Sequence, residues 1–121
     1  MRVRSAVRAR QARAARNQAL FRAVNDEIRA ASEVAACDGR TVHDFVCECA
    51  AETCTTPVRL SLRDYDRLRT NPRRFVVAPG HEEPGLEQIV QEGPMATIVE
   101  KLGAAGDVAV ESDRRSLSEA S

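Results

Sequence analysis

The sequence predicts an α+β domain in which a long N-terminal helix packs on a small antiparallel sheet. Three observations lead there. Residues 5–36 hold no Gly or Pro and are rich in Ala and Arg, both strong helix formers. From Phe45 the apolar spacing changes from three or four residues to two, the period of a strand. Two further apolar runs follow, separated by the turn residues Gly93-Pro94 as in a hairpin.

The helix over 5–36 is amphipathic in its second half only. Leu20, Phe21, Val24, Ile28, Ala31 and Ala35 recur at three- and four-residue steps and are expected to face the sheet, while Arg22, Asp26, Glu27 and Arg29 lie off that stripe. The first half has no stripe, so residues 1–15 are expected to be an Arg-rich flexible arm. Cys37-Asp-Gly-Arg-Thr breaks the helix. Phe45, Cys47 and Cys49 then share one face of a short strand, with Val46 and Glu48 on the other. The turn from Ala50 to Pro57 returns the chain into Val58, Leu60 and Leu62, which alternate with polar residues, and the two runs form an antiparallel hairpin.

Ser61 caps a short helix, Leu62 to Arg69, with Asp64 three residues after the cap and Asn71-Pro72 as its stop. Leu62, Tyr65 and Leu68 are its inward stripe. Phe75-Val-Val-Ala is a third strand ending at Pro79-Gly80-His81, and Leu86 to Gln91 with Ala96 to Lys101 make the second hairpin. Residues 16–102 are expected to be one domain and 103–121 a disordered tail.

Composition bounds the rest. A chain of 121 residues with 3% aromatics has a small core, and such cores gain from a cross-link. Basic and acidic residues number 18 each, so overall charge attracts no polyanion. The distribution is uneven: Arg2, Arg4, Arg8, Arg10, Arg13, Arg16 and Arg22 precede the first acid, and every basic residue except Lys101 is Arg. No apolar stretch approaches a membrane span, and no secretory leader pattern is seen, which makes reduced thiols, a cytoplasmic location and no membrane partner the expectation.

With only four cysteines and two histidines, the chain places Cys47, Cys49 and Cys54 in one short span, and His81 follows in a Pro-Gly-His turn. Residues two apart on a strand share a face at roughly 6.6 Å, over which two sulfurs converge on an ion about 2.3 Å from each. Four residues between Cys49 and Cys54 allow the chain to reverse and add a third thiolate. His81, at the end of a neighbouring strand, is the natural fourth ligand. A shell of three Cys and one His suits zinc, and a closed shell is structural. Cys37, His43, Glu48, Glu52 or water are the rivals for the fourth position. His43 has the parity of Cys47 but is about 13 Å away along an extended strand. Two disulfides or inert buried thiols are the other uses of four cysteines.

The strings Leu20-Phe-Arg-Ala-Val-Asn-Asp-Glu-Ile, Phe45-Val-Cys-Glu-Cys, Cys54, Tyr65 and Val76-Val-Ala-Pro-Gly-His81-Glu resemble a family of small, largely uncharacterised actinobacterial proteins. That family shares a Phe-x-Cys-Glu-Cys-x4-Cys segment, a short helix and a Val-Ala-Pro-Gly-His turn. The similarity covers roughly residues 16–101. It implies that Cys47, Cys49, Cys54 and His81 are a shared motif, and it carries no established activity. Cys37 and residues 1–15 lie outside the pattern.

Catalysis would need an open metal position and a base, for which Glu48 or Glu82 could be named. The chain has no Gly-rich phosphate loop, no Ser nucleophile elbow and no His-Glu-x-x-His helix. The expected function is therefore a small non-enzymatic zinc-binding module, regulatory or interacting. The alternatives are a thiolate-based redox sensor, and a nucleic-acid-binding module using the basic arm. That arm is also the feature through which a protein partner would be met. No basic patch interleaved with aromatics supports the nucleic-acid reading.

Overall fold

The computed structural model describes residues 2–33, 40–49, 51 and 54–120, with side chains over 16–32, 40–49, 51 and 54–113. Among the described residues it is an α+β fold of three helices and two antiparallel sheets. In chain order these are α1 (Arg2–Glu33), β1 (Val42–Val46), β2 (Pro57–Ser61), α2 (Leu62–Arg69), β3 (Arg74–Val77), β4 (Glu87–Gln91), β5 (Thr97–Lys101) and α3 (Gly103–Ala120). β1 and β2 form one sheet, and the other has the order β3-β5-β4.

Both predicted hairpins form, and the inward residues of the first follow the strand period. In β2, Val58 and Leu60 are buried while Arg59 points outward. The register pairs Phe45 with Val58 and His43 with Leu60. In the second sheet Phe75 pairs with Val99 and Glu87 with Lys101, and the register shifts between Ile89 and Gln91, leaving Val90 as the extra residue of a bulge. α2 starts as its sequence dictates: the Asp64 N–H donates to Ser61 Oγ at 3.1 Å. Its stripe Leu62, Tyr65 and Leu68 is buried, and the Tyr65 ring stacks on Phe45 with centroids 4.6 Å apart.

Three expectations need correction. α1 is continuous from Arg2, so residues 2–15 are helical rather than a flexible arm; Ala and Arg have the propensity to carry the helix to its start. Residues 103–120 form α3 instead of a disordered tail. It docks through the buried Ala109, and Gly106 lets it approach closely, since a Cβ there would sit 2.8 Å from the Lys101 carbonyl oxygen. The third correction concerns the docking face of α1. Leu20, placed on the inward stripe by its spacing, is 60% exposed, whereas Gln18, Arg22 and Asn25 are buried.

The physical reason lies in what α1 meets. It lies against strand ends and a turn, which present unpaired backbone carbonyls, and those need donors. Arg22 donates to Pro72 O and Arg74 O, both at 2.8 Å, and its guanidinium lies 3.7 Å over the Phe75 ring. Asn25 Nδ2 donates to Val46 O at 2.9 Å and Asn25 Oδ1 accepts from the Val46 N–H at 2.8 Å, so one carboxamide pairs with β1 as a neighbouring strand would. Phe21, Val24 and Ile28 flank this polar row at intermediate exposure.

Candidate metal centre

β1 leads directly into Cys47-Glu48-Cys49, and this segment lies along the free edge of β3. The Glu48 N–H donates to Val76 O at 2.8 Å, and the Val76 N–H returns a 3.0 Å bond to Glu48 Oε1. One residue earlier the Ala78 N–H donates to Cys47 Sγ at 3.1 Å. Side-chain oxygen and sulfur thus stand where a paired strand would offer carbonyls. The loop then reverses: Cys47 N–H donates to Thr56 O at 3.2 Å, and Cys54 N–H to Ala51 O at 3.1 Å, which returns Cys54 toward Cys47.

His81 is delivered by a turn whose sequence admits one shape. Pro79 fits the second position, Gly80 has φ +87° in the third, and the His81 N–H closes on Ala78 O at 2.9 Å. A positive φ after proline is the type II turn, where glycine is the unstrained residue. The turn is anchored at Ala78, whose N–H already holds Cys47, so two ligands share one short piece of backbone.

The result is a cluster of Cys47, Cys49, Cys54 and His81 whose ligand atoms all lie within 4.8 Å of one another. His81 Nδ1 is 3.6 Å from Cys47 Sγ and 3.5 Å from Cys54 Sγ. The three cysteines are free thiols rather than disulfides. An ion held about 2.3 Å from sulfur and 2.0–2.1 Å from nitrogen at the tetrahedral angle requires a sulfur-to-nitrogen edge of about 3.5–3.6 Å. The two observed edges match that figure. Cys47 and Cys49 are buried, while Cys54 and His81 close the cluster toward solvent.

Each sulfur also accepts a backbone N–H, from Ala78 and Cys49 at Cys47, from Ala51 at Cys49 and from Thr56 at Cys54. Such donors favour thiolate. Without an ion, burial still dominates at the inner pair: it pushes Cys47 up to about 12, and it raises Cys49. Burial also raises Cys54, but there the Thr56 N–H and hydroxyl, with Cys49 and Cys47, outweigh it and bring the thiol down to about 7. Two buried neutral thiols beside a more acidic one make a site that a divalent cation would convert to three thiolates.

The chain brings together the four residues that the spacing selected. His43, a rival fourth ligand, stands in β1 opposite Leu60 and outside the cluster. Cys37 and Glu52 lie outside the described residues. Glu48 is fully buried, and its carboxylate faces Asn25 Nδ2 at 2.8 Å and Val76, away from a role as ligand or solvent-exposed base. Burial raises its pKa, while hydrogen bonds from Asn25 and Val76 oppose the shift. Glu82 and Glu83 line a cleft beside Cys49 and His81. Sequence reasoning missed Gln18 and Asn25, polar residues spaced seven apart on one helix face. Their only signal was that spacing, shared with Arg22.

No family model, curated protein or solved structure matches this chain. The geometry of the cluster is therefore what bears on function. Among the described residues no helix is long and apolar enough to cross a membrane.

Proposed function

We propose that the protein is a small non-enzymatic zinc-binding module whose ion is structural and whose role is regulatory or in interaction with another macromolecule. The observation that carries this reading is the pair of 3.5 and 3.6 Å edges from His81 Nδ1 to two thiols, the spacing a tetrahedral zinc shell needs. Three sulfurs and one imidazole fill the four positions of that shell, which leaves no place for a reactive water. Zinc, with no redox chemistry and a tetrahedral habit, suits this donor set better than harder cations that prefer oxygen. The ion joins the β1–β2 hairpin to the turn that follows β3, and so links the two sheets.

Elemental analysis of protein purified without chelator tests this, and the expected result is one zinc per chain. Cys49→Ser or Cys54→Ser should remove the ion and Cys37→Ser should retain it. A reduced, folded, metal-free protein would overturn the reading.

A second reading, a thiolate redox sensor, is favoured by the position of Cys54 at the solvent side with its sulfur beside the other ligands. Peroxide would take two electrons from two thiolates, forming one disulfide and water and releasing zinc. Stoichiometric, thiol-reversible zinc release at low peroxide would select this reading. Resistance until the fold melts would remove it.

A further inference from the structure

Gln18, Arg22 and Asn25 form a buried polar row on a helix that sends no ligand to the cluster, which calls for a physical explanation. Burying an amide is costly unless every hydrogen bond is made. Asn25 makes three, all to the segment that carries the first two ligands: Val46 O at 2.9 Å, the Val46 N–H at 2.8 Å and Glu48 Oε2 at 2.8 Å. Gln18 Nε2 reaches Glu48 O at 3.5 Å. Glu48 sits between Cys47 and Cys49, and its other carboxylate oxygen takes the Val76 N–H. The segment is therefore gripped from α1 on one side and from β3 on the other, with both sulfurs in the cluster.

Resting on the metal reading above, we propose that Asn25 and Glu48 are the positioning residues of the metal centre, fixing Cys47 and Cys49 for the ion and tying its affinity to the docking of α1. Neither side chain reaches the ion. Ligand-orienting partners of this kind commonly contribute 10- to 100-fold in metal affinity. The coupling is reciprocal, because an ion that binds better when α1 is docked must hold α1 better when bound.

The test uses the full chain, with zinc affinity read by competition against a chelator and ligand geometry by absorption of the cobalt-substituted protein. Asn25→Ala should weaken zinc by about 10- to 100-fold and shift the cobalt bands. Val99→Ala is the control: it empties a buried site on β5, one strand beyond β3 from the ligand segment, and leaves α1 untouched. It should lower the melting temperature and leave the bands in place. Should Asn25→Ala fail to fold, Glu48→Gln carries the test, since it keeps the shape and the acceptor for Val76 but sets an amide against Asn25 Nδ2. It should also weaken zinc and move the bands. Wild-type affinity and spectrum in these variants, or an equal loss in Val99→Ala, would overturn the proposal. A wild-type chain that binds neither zinc nor cobalt would overturn the metal reading itself, a different and separable result.

Discussion

Gly80 does the most at the centre with the least side chain. Its φ of +87° is a backbone state in which a Cβ is strained, although the space around it is open. Gly80→Ala should therefore cost about 1–2 kcal/mol through the backbone alone. Because the same turn presents His81, a metal-loaded Gly80→Ala protein should also hold its ion less tightly; thermal melts with and without chelator would measure both effects. The thiols make a second prediction. At pH 7 the inner Cys47, pushed up to about 12, is protonated before metal binds, Cys49 is raised as well, and Cys54 at about 7 is half ionised. Binding zinc should then release about two to three protons, so affinity should fall steeply as pH drops from 8 to 6. Calorimetry in buffers of different ionisation enthalpy counts those protons. Release of fewer than two would mean that one of the thiols is not a ligand.

Among the elements, α3 is held by charge as much as by packing. Arg69 of α2 places one amino group 2.7 Å from Asp113 of α3 and binds Asp26 of α1 through Nε at 3.0 Å and Nη2 at 3.1 Å, so three helices meet at one guanidinium. Asp26 also accepts the Tyr65 hydroxyl at 2.5 Å. Arg69 and Asp113 are largely shielded from water while Asp26 is 42% exposed, which makes the Arg69–Asp113 bond worth more than a surface pair. Asp113→Ala should lower stability by about 1–3 kcal/mol in denaturant unfolding and leave metal content unchanged. Elsewhere the outer strand β4 shows Ile89 and Val90 to solvent, and the bulge at Val90 interrupts the edge that a flat strand would offer to another chain.

Across the whole molecule, the two sheets differ in what supports them. The β3-β5-β4 sheet has three strands, a buried cross-strand pair of Lys101 with Glu87, and helices against it. The β1–β2 hairpin has two strands, and such a hairpin is marginal by itself. It is tied to the other sheet by the Cys47-Glu48-Cys49 segment, and it meets the turn after β3 at the cluster of Cys47, Cys49, Cys54 and His81. Removing the ion should therefore loosen the hairpin first: in the metal-free protein, amides of β1 and β2 should exchange well before those of β5. Hydrogen exchange followed by mass spectrometry would show the order, and uniform loss of protection would mean that the two sheets unfold as one unit.

Much of this was legible from local pattern alone. The strand period places Val58, Leu60 and Phe45 inward, Ser61 caps α2, Pro79-Gly80 turns the chain, and cysteine spacing selects the ligands. Each of these is decided within a few residues by dihedral preference or side-chain parity. The docking face of α1 was not legible, because hydrophobic periodicity assumes that a helix meets an apolar surface. This helix meets carbonyl groups, so Gln18, Arg22 and Asn25 are buried and Leu20 faces water. The fate of residues 103–120 was hidden for a related reason: a stretch of Gly, Ala and Ser carries little apolar signal, and only a surface close enough to need small residues shows why they stand there. The sequence by itself determined which atoms can bind the ion and which turns carry them. Tertiary structure decided how they are held, because that depends on backbone groups left unpaired at strand edges, and which edges remain unpaired is settled only when the sheets have formed.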